Sequence, residues 1–425
     1  MWVMRPYDFM RECAHEFGDL FTLRIRAEST YVIVSRPDAI RAIFTARADT
    51  LGVGAGNAVL APFVGPASLL LLEGERHVRE RRLLMPAFHQ KVIAGYGDAI
   101  RDALTDAIED WAPGKTFVAQ EVLQGVSIDV ILRAVFGVRT KSACADLKRE
   151  LVSFLNDRRF SLGQMDQLSG GDESLRVFRE RLGRIGDLTL AFVADRRYAS
   201  TAPDDSPGDI LSMLLHAKDE FGHGPTDSEL RDELLTLVAT GYETTATALA
   251  WGLYWIAGSR EVRTRLRAEV AAVGDADARA YSALPYLDAV VKETLRVYPI
   301  VPFVFREALQ PFNLDGYTFD RGTILAPSVY LTHRREDLYD RPEMFEPERF
   351  LARTYSPYEY LPFGGGARRC IGMNLAIYEM KVILATLFQR FDLENDAGTP
   401  VLPVRRSVAM APSGGGRMIV RHAYG

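Results

Sequence analysis

The sequence predicts a mainly α-helical protein with a small β lobe, and three features support this prediction. Apolar residues recur at helical spacing from Val92 to Trp111 and again from Gln120 to Phe136. A third apolar stretch, from Leu230 to about Ile256, is long enough to form a helix through the interior. Near the start, Leu20 to Ile25 and Tyr31 to Val34 are rich in β-branched and aromatic residues, which favour strands. Early strands followed by long helices are typical of a small mixed lobe joined to a larger helical one.

The long helix has a recognisable start. Thr226 and Glu229 have the Thr-x-x-Glu spacing of a capping box, in which each side chain satisfies a backbone N–H of the first turn. No stretch has the composition of a flexible linker, so residues 1–425 are predicted to form one continuous catalytic domain. The remaining segments are predicted as shorter elements: a helix over Pro37–Thr45, a surface loop over Thr201–Gly208, a helix over Ile210–Lys218, short β segments between Pro311 and Pro327, an irregular meander over Asp337–Glu359, a helix over Asn374–Phe391 and a terminal hairpin from Val401.

Composition and charge exclude several classes of protein. The net charge is -5 and the pI about 5.9, whereas nucleic-acid-binding proteins usually carry a basic excess. The three cysteines, Cys13, Cys144 and Cys370, have no C-x-x-C spacing, which argues against a disulfide framework or a zinc site and favours the cytoplasm. No apolar run reaches the roughly 20 residues that cross a bilayer, and charges interrupt Met1–Asp19. Neither a membrane anchor nor a signal peptide is therefore expected.

The segment from Phe363 to Gly372 reads Phe-Gly-Gly-Gly-Ala-Arg-Arg-Cys-Ile-Gly. Three consecutive glycines are costly to order, which makes sense where the backbone passes close to a bulky planar group. A thiolate that binds a metal needs N–H donors around its sulfur, and a tight turn before a helix supplies them. Arg368 can pair with a carboxylate of the bound group. The alternative is a glycine turn that precedes a helix and contains an incidental cysteine.

This spacing resembles the haem-binding signature Phe-Gly-x-Gly-x-Arg-x-Cys-x-Gly of the cytochrome P450 family at every fixed position. The resemblance implies the cytochrome P450 fold and a bound haem b. It also implies that Cys370 is the metal ligand and that Phe363, Arg368 and Gly372 belong to the cofactor-binding loop.

Further motifs of the same family follow in the expected order. The sequence from Glu293 to Arg296 resembles the Glu-x-x-Arg helix, in which residues at i and i+3 share one face. The segment Phe345 to Phe350 resembles the meander motif, whose arginine is Arg349 here. The resemblance implies that Glu293, Arg296 and Arg349 form a buried structural triad beside the cysteine loop.

The haem carboxylates need cationic partners, and the resemblance suggests three residues. His77 and Arg81 match an aromatic-or-His-x-x-x-Arg pattern, with His77 standing where many members have Trp. Arg306 follows in a Pro-x-x-x-Arg context, where members use a similarly placed arginine. The alternative for His77 is an exposed histidine on a basic helix.

Midway along the long helix, the residues Gly241, Glu243 and Thr244 are unusual in an apolar interior. Glycine disfavours a helix and a hydroxyl can bond back to a carbonyl, so a local bulge that admits oxygen and water is predicted. The stretch resembles the family's (Ala/Gly)-Gly-x-(Asp/Glu)-Thr signature, with Thr240 departing from it. By this resemblance Thr244 organises water beside bound O2 and Glu243 relays protons, the two catalytic roles. The alternative is a helix kink with solvated polar residues.

The resemblance implies a monooxygenase that hydroxylates or epoxidises a hydrophobic small molecule such as a fatty acid, terpenoid or polyketide. A peroxide-driven peroxygenase and a non-catalytic haem sensor stay open as alternatives. The pocket is expected to be mostly apolar. Its predicted segments are Leu51–Leu72, Phe154–Phe192, Leu234–Ala248, Pro299–Val304 and Ser407–Met410.

Electrons are expected from a separate ferredoxin and NAD(P)H-dependent reductase, because the chain ends soon after the cysteine motif. Arg76, Arg79, Arg82 and Arg369 are predicted to form a basic patch that suits an acidic ferredoxin; a solvated basic face is the alternative. Members of the family usually carry a longer lead before the segment that resembles Trp2–Leu23, so the native N-terminus is expected to be longer.

Overall fold

Helix is the main secondary structure of the described chain, which comprises residues 5–26, 29–53, 57–58, 60–137, 144–155, 157, 173–199, 209–274, 278–396, 398, 400–406 and 408–424. The computed structural model has α-helices over Pro6–Phe17 (α1), Pro37–Thr45 (α2), Ala61–Val64 (α3), Gly74–Leu84 (α4), Gln90–Ala94 (α5), Gly97–Ala107 (α6), Ala119–Phe136 (α7), Ala145–Leu155 (α8), Glu173–Ala199 (α9), Ile210–His216 (α10), Asp227–Gly258 (α11), Arg260–Ala271 (α12), Pro285–Val297 (α13), Val329–Thr332 (α14), Arg349–Ala352 (α15) and Met373–Arg390 (α16).

The strands are short and fall mainly near the two ends of the chain. They are Leu20–Arg26 (β1), Ser29–Val34 (β2), Leu51–Gly52 (β3), Thr116–Val118 (β4), Arg306–Ala308 (β5), Phe312–Leu314 (β6), Tyr317–Phe319 (β7), Ile324–Pro327 (β8), Phe391–Asn395 (β9), Pro403–Arg406 (β10), Ala409–Pro412 (β11) and Arg417–Ala423 (β12). Smaller sheets have the orders β4-β12-β9, β10-β11 and β6-β7.

The largest sheet has the order β1-β2-β8-β5-β3 and brings distant segments together. Strands β1 and β2 pair antiparallel, with Leu20 opposite Val34, and β2 pairs parallel with β8. One face packs a buried apolar cluster that includes Phe44 of α2 and Leu361, which lies just before the cysteine loop. The two early strands predicted from sequence are confirmed, and this sheet fixes the approach to the cysteine.

Helix α11 begins as predicted. Glu229 accepts a hydrogen bond from the N–H of Thr226 (2.8 Å), and the N–H of Glu229 donates to Thr226 Oγ1 (3.3 Å), which is the reciprocal capping box. The helix then runs to Gly258, close to its predicted end. No helix in the described part of the chain is both long and apolar enough to cross a membrane.

The predicted helix from Val92 to Trp111 is wrong in its continuity, because the chain forms α5 and α6 with a break at Gly95 and Tyr96. A Cβ on Gly97 would overlap the hydroxyl of Tyr378 on α16, so packing against α16 decides where α6 begins. The predicted surface loop over Thr201–Gly208 lies outside the described residues.

The chain divides into two compact units. The first comprises Met1–Gly56, Gly97–Val126 and Thr244–Gly425, and the second comprises Asn57–Tyr96 and Ser127–Glu243. The sheets and the cysteine loop belong to the first unit, whereas α4, α8, α9 and α10 belong to the second. The expectation of one continuous domain stays a prediction.

Candidate active site

The cysteine loop is a tight backbone turn. The N–H of Cys370 donates to the carbonyl of Phe363 (3.0 Å), and the N–H of Gly364 donates to the carbonyl of Leu361 (3.0 Å). Gly364 and Gly366 have φ angles of 66° and 67°, in the left-handed region that glycine adopts without a steric penalty. The loop therefore closes on itself and presents Cys370 at its end.

Phe44 of α2 determines how closely the loop can pack on the sheet. A Cβ on Gly365 would overlap the ring of Phe44, and a Cβ on Gly366 would overlap the backbone carbonyl of Phe44. Gly365 and Gly366 are thus needed because the loop packs closely on Phe44, and Gly366 is needed for the turn as well. Sequence reasoning missed Phe44, because no local pattern links residue 44 to residues 365 and 366.

Cys370 differs from the other two cysteines in its exposure. Cys13 and Cys144 are buried, whereas Cys370 is exposed. Helix α16 begins at Met373, three residues later, with Gly372 at its N-cap. The partial positive charge at a helix N-terminus stabilises a nearby thiolate. An exposed thiolate in this position can bind a metal ion.

Arg306 lies on β5 and binds the same loop. Its Nη2 donates to the carbonyl of Gly365 (3.2 Å) and its Nη1 to the carbonyl of Phe305 (2.7 Å). The guanidinium lies 5.6 Å from the centre of the Phe44 ring, and the residue is buried. Arg368, half-buried, occupies the short 3-10 turn Gly366–Arg368. Both sequence-predicted cations of this unit thus lie on the cysteine loop or on the strand that contacts it.

Glu293 lies between the two arginines that were predicted to join it. Arg296 donates to both of its carboxylate oxygens (2.7 and 2.8 Å), and Arg349 Nε donates to Oε1 (3.0 Å). The N–H of Glu346 also donates to Oε1 (2.8 Å). Glu293 and Arg296 are fully buried, so this charge is compensated by neighbouring charges and hydrogen bonds and not by water.

Arg296 also binds the backbone of the irregular segment from His333 to Met344. Its remaining N–H groups donate to the backbone carbonyls of His333, Pro342 and Met344 at 2.8 to 2.9 Å. Three separate turns are therefore fixed to one guanidinium, which has the five donors in a planar fork that such an arrangement needs.

His333 connects this cluster to the cysteine loop. Its Nε2 accepts the N–H of Leu361 (3.0 Å), so its proton sits on Nδ1, which lies 3.3 Å from the carbonyl of Arg296. Burial, and then the charge of Arg296, hold the pKa of His333 well below its usual range, so the ring is neutral. The ring of Tyr360 stacks on it at 5.3 Å. Sequence reasoning missed His333, since a lone histidine in an irregular segment gives no periodic signal.

His77 and Arg81 lie on α4, in the second unit. His77 is buried, so the alternative of an exposed histidine is wrong, and Arg81 is half-buried. Four residues apart on one helix, they share a face.

The predicted bulge in α11 is wrong. The helix is α-helical throughout Asp227–Gly258, and Thr240 Oγ1 donates to the carbonyl of Thr236 (2.7 Å) without opening the turn. Helix packing, and not a bulge, explains the glycine at position 241, because a Cβ there would lie 3.0 Å from Cδ1 of Ile131 on α7. The two helices therefore pack closely at this glycine, and a larger residue there would have to displace the Ile131 side chain. Glu243 and Thr244 are half-buried on this helix.

A family model for cytochrome P450 matches residues 2–418, nearly the whole chain. The chain belongs to the cytochrome P450 family. Family members are in general haem-thiolate oxidoreductases that act as monooxygenases.

Related proteins and structures agree with this membership. One relative is a Mycobacterium tuberculosis protein named cytochrome P450 135B1, a name that gives its family and no substrate. It is 35% identical over 421 residues, which cover 97% of this chain and 87% of that protein. Another protein from that species, cytochrome P450 135A1, is 33% identical and covers 96% of this chain and 90% of its own.

The retinoic acid-bound cyanobacterial CYP120A1 is 25% identical, with a TM-score of 0.85 over 98% of this chain and 94% of that one. The cytochrome P450DA haem domain, 23% identical, has a TM-score of 0.87 over 98% of this chain and 93% of its own. The mainly α fold with a small β lobe is thereby confirmed as the cytochrome P450 fold.

The residues of this cytochrome P450 fit the family's haem. The donor set is an exposed thiol at a helix N-terminus, which suits an iron, with Arg306 and Arg368 as cations for carboxylates. Gly365 and Gly366 pack the loop against Phe44, while Cys370 stays exposed.

The basic face that was predicted for a redox partner is largely neutralised in this cytochrome P450. Arg79 Nε donates to Asp219 (2.8 Å), and Arg79 also pairs with Glu80. The hydrogen bond from Arg79 lowers the pKa of Asp219 to about 2. Acidic partners also lie near the other two arginines of α4: the nearest N–O distances are 3.8 Å from Arg76 to Glu229 and 3.4 Å from Arg82 to Glu220. Arg369 is exposed, with Nη2 2.9 Å from Met373 Sδ.

Proposed function

We propose that the chain is a haem b monooxygenase that hydroxylates or epoxidises a hydrophobic small molecule, with electrons from a separate ferredoxin and NAD(P)H-dependent reductase. The observation that supports this most directly is the exposed Cys370 at the end of a closed glycine loop, in a chain that belongs to the cytochrome P450 family. When bound, haem b supplies the iron that splits O2, so that one oxygen atom enters the substrate and the other leaves as water.

The chain's own residues hold the cofactor in this proposal. Cys370 Sγ would bind the haem iron, and the turn from Phe363 to Gly372 fixes the direction of the thiol. Arg306 and Arg368 bind haem carboxylates as cations, and their positions on β5 and on the loop support this role. His77 and Arg81 of α4 serve the same carboxylates. The triad of Glu293, Arg296 and Arg349 is structural, because it fixes the meander and, through His333, the start of the loop.

Proton delivery is the role of α11. Glu243 moves a proton from its carboxyl group to water beside the helix, and Thr244 Oγ1 orients that water by a hydrogen bond. Thr240 is the alternative candidate, and its hydroxyl donates to the carbonyl of Thr236 (2.7 Å).

The substrate is proposed to be apolar, such as a fatty acid, terpenoid or polyketide. The rings of Phe63, Phe154 and Phe178 form a cluster in the second unit with centroids 5.3 to 6.3 Å apart. These residues fall within two of the segments expected to form the pocket, of which residues 54–56, 59, 156, 158–172 and 407 lie outside the described chain. That a related cytochrome P450 binds retinoic acid supports an apolar ligand of this class.

The experiment compares two supplies of oxidant on the purified protein. Product formation that is much faster with O2, ferredoxin, reductase and NAD(P)H than with peroxide alone supports the monooxygenase. Turnover with peroxide alone at the same rate would instead identify a peroxygenase, and haem binding without turnover would identify a sensor. The reduced, CO-bound protein should have the long-wavelength Soret band of the family, and Cys370→His should bind haem without it. If Cys370→His keeps that band, the axial ligand is another residue.

A further inference from the structure

A buried glutamate on α11, ten residues before Glu243, has no role in the proposal above. Glu233 is 3% exposed, and no side chain among the described residues hydrogen-bonds to either of its carboxylate oxygens. An ionised carboxylate in such a position is costly, so the group keeps its proton. Burial is the main cause that raises the pKa of Glu233 to about 8. At neutral pH the side chain is therefore a buried proton donor.

The surroundings of Glu233 explain why the proton stays. The carboxylates of Glu80, Asp232 and Glu229 all raise its pKa, and only the N–H of Leu69 acts in the opposite direction. Asp232 is compensated, since it accepts from Arg231 (2.7 and 2.9 Å) and from the N–H of Ala67 (3.0 Å).

Glu80 of α4 is a second buried carboxyl group, and its charge acts on Glu233. Glu80 is 3% exposed, and burial also raises its pKa, against the effect of its partner Arg79. Arg79 is partly exposed and also pairs with Asp219 (2.8 Å) and Glu229 (3.8 Å). Glu80 therefore interacts both with a partly exposed ion-pair group and with Glu233.

A polar stripe leads onward along the helix. Glu233, Thr236, Thr240 and Glu243 are spaced i, i+3, i+7 and i+10, so they share one face of α11. Thr236 Oγ1 lies 2.8 Å from Ser68 Oγ, and the two threonine hydroxyls are the polar groups of this face between the two glutamates. The helical rise places the glutamates about 15 Å apart along the axis, a span that hydroxyls and water can bridge.

We propose that Glu233 is a relay residue that passes protons from Glu80 along this face of α11 to Glu243. In each transfer the O–H bond of the Glu233 carboxyl breaks, the Glu243 carboxylate gains a proton through water molecules along this face, and Glu233 is reprotonated from solvent by way of Glu80. No electrons move, and the net transfer is one proton from solvent to Glu243. This inference rests on the proposed function, in which Glu243 supplies protons for O2 cleavage.

The first test needs no turnover. Infrared spectra of the resting haem protein should contain the carbonyl stretch of a protonated carboxylic acid at pH 7, which disappears with a midpoint near pH 8. That band should be absent in Glu233→Gln and present in the control Glu220→Gln, which removes an exposed carboxylate of the same unit. A band that persists unchanged in Glu233→Gln would show that the group is not the buried acid.

The second test separates proton supply from structural damage. Hydrogen peroxide already carries the two protons and two electrons that O2 must otherwise receive. Glu233→Gln should therefore lower NAD(P)H-driven turnover about tenfold and raise its solvent isotope effect, while peroxide-driven turnover stays at the wild-type level. Glu233→Asp should restore part of the NAD(P)H-driven rate.

Equal losses in both reactions, or no loss in either, would overturn the relay. A different result would contradict the proposed function: a wild-type protein that forms no product with ferredoxin and NAD(P)H. The infrared band would then still decide whether Glu233 is a neutral acid.

Discussion

His333 accepts the backbone N–H of Leu361 at 3.0 Å, so the residue that precedes the cysteine loop is held by a neutral, fully buried imidazole. His333→Phe keeps a similar ring but leaves that buried N–H without an acceptor, which should cost about 1–3 kcal/mol of unfolding free energy. Denaturant unfolding measures this loss, and hydrogen exchange should become faster at Leu361 and in the cysteine loop. His15→Phe, at an exposed position, is the control.

The pH dependence of this effect has a defined sign. The native ring stays neutral, whereas the unfolded chain binds a proton at His333 below pH about 6.5. The wild-type protein therefore loses this contribution to stability as the pH falls from about 6.5 toward the lowered native pKa. The variant should lack that part of the slope, and an unchanged slope would contradict the assignment.

Glu293→Gln should be strongly destabilising. The substitution leaves Arg296 and Arg349 as buried cations without their carboxylate, and breaking such a cluster costs about 3–5 kcal/mol. The expected result is a lower unfolding midpoint together with reduced haem content after purification. Glu394→Gln makes the same chemical change in the exposed pair with Arg421 and should cost less than about 1 kcal/mol. Similar losses in both variants would show that burial of the triad is unimportant.

Thr244→Ala should uncouple the enzyme without loss of haem. NAD(P)H consumption should continue, while product per NAD(P)H falls and peroxide rises to match. Thr240→Ala should keep the wild-type ratio of product to NAD(P)H, because the proposal assigns the water beside bound O2 to Thr244. Glu243→Gln should instead slow the whole cycle. The reverse pattern, a coupled Thr244→Ala and an uncoupled Thr240→Ala, would assign the role to the other threonine.

Charge reversal should separate Arg369 from Arg79. Arg369→Glu should slow reduction by ferredoxin and weaken its salt dependence, since the side chain is exposed beside Cys370. Arg79→Glu should mainly lower stability, because it breaks the pairs with Asp219 and Glu80. Stopped-flow reduction and thermal unfolding of both variants make the comparison. If Arg79→Glu slows reduction by ferredoxin but keeps wild-type stability, the docking face includes Arg79, as the sequence predicts.

Glu233→Gln should also change how stability depends on pH. The native pKa of about 8 exceeds the ordinary value of 4.5, so the native state holds this proton longer than the unfolded chain does. The wild-type protein therefore loses stability from this group as the pH rises from about 4.5 to 8, by about 1.4 kcal/mol per pKa unit. The variant's relative stability should increase over that window and level off above it. A difference that does not vary with pH would contradict the raised pKa.

Much of the fold and of the candidate site could be predicted because their signals are local. Spacing along one segment identified the capping box at Thr226, the cysteine loop and the Glu293 helix. The errors have a different origin, since they depend on contacts between distant segments. Gly241 packs closely against Ile131 on another helix, and Gly97 packs against Tyr378 where α6 begins. Single-sequence periodicity contains no information about either partner.

The two glycines that pack against Phe44 differ in the mutational routes open to them. Gly365 has extended backbone with a φ of -162°, and its obstacle is a side chain, so alanine there becomes acceptable once Phe44 is replaced by a smaller residue. Gly366 meets the backbone carbonyl of Phe44 and has a φ of 67°, which no change at position 44 relieves. Gly365 can therefore be replaced only after Phe44 has been replaced by a smaller residue. Gly366 cannot be replaced without strain, whichever substitution comes first.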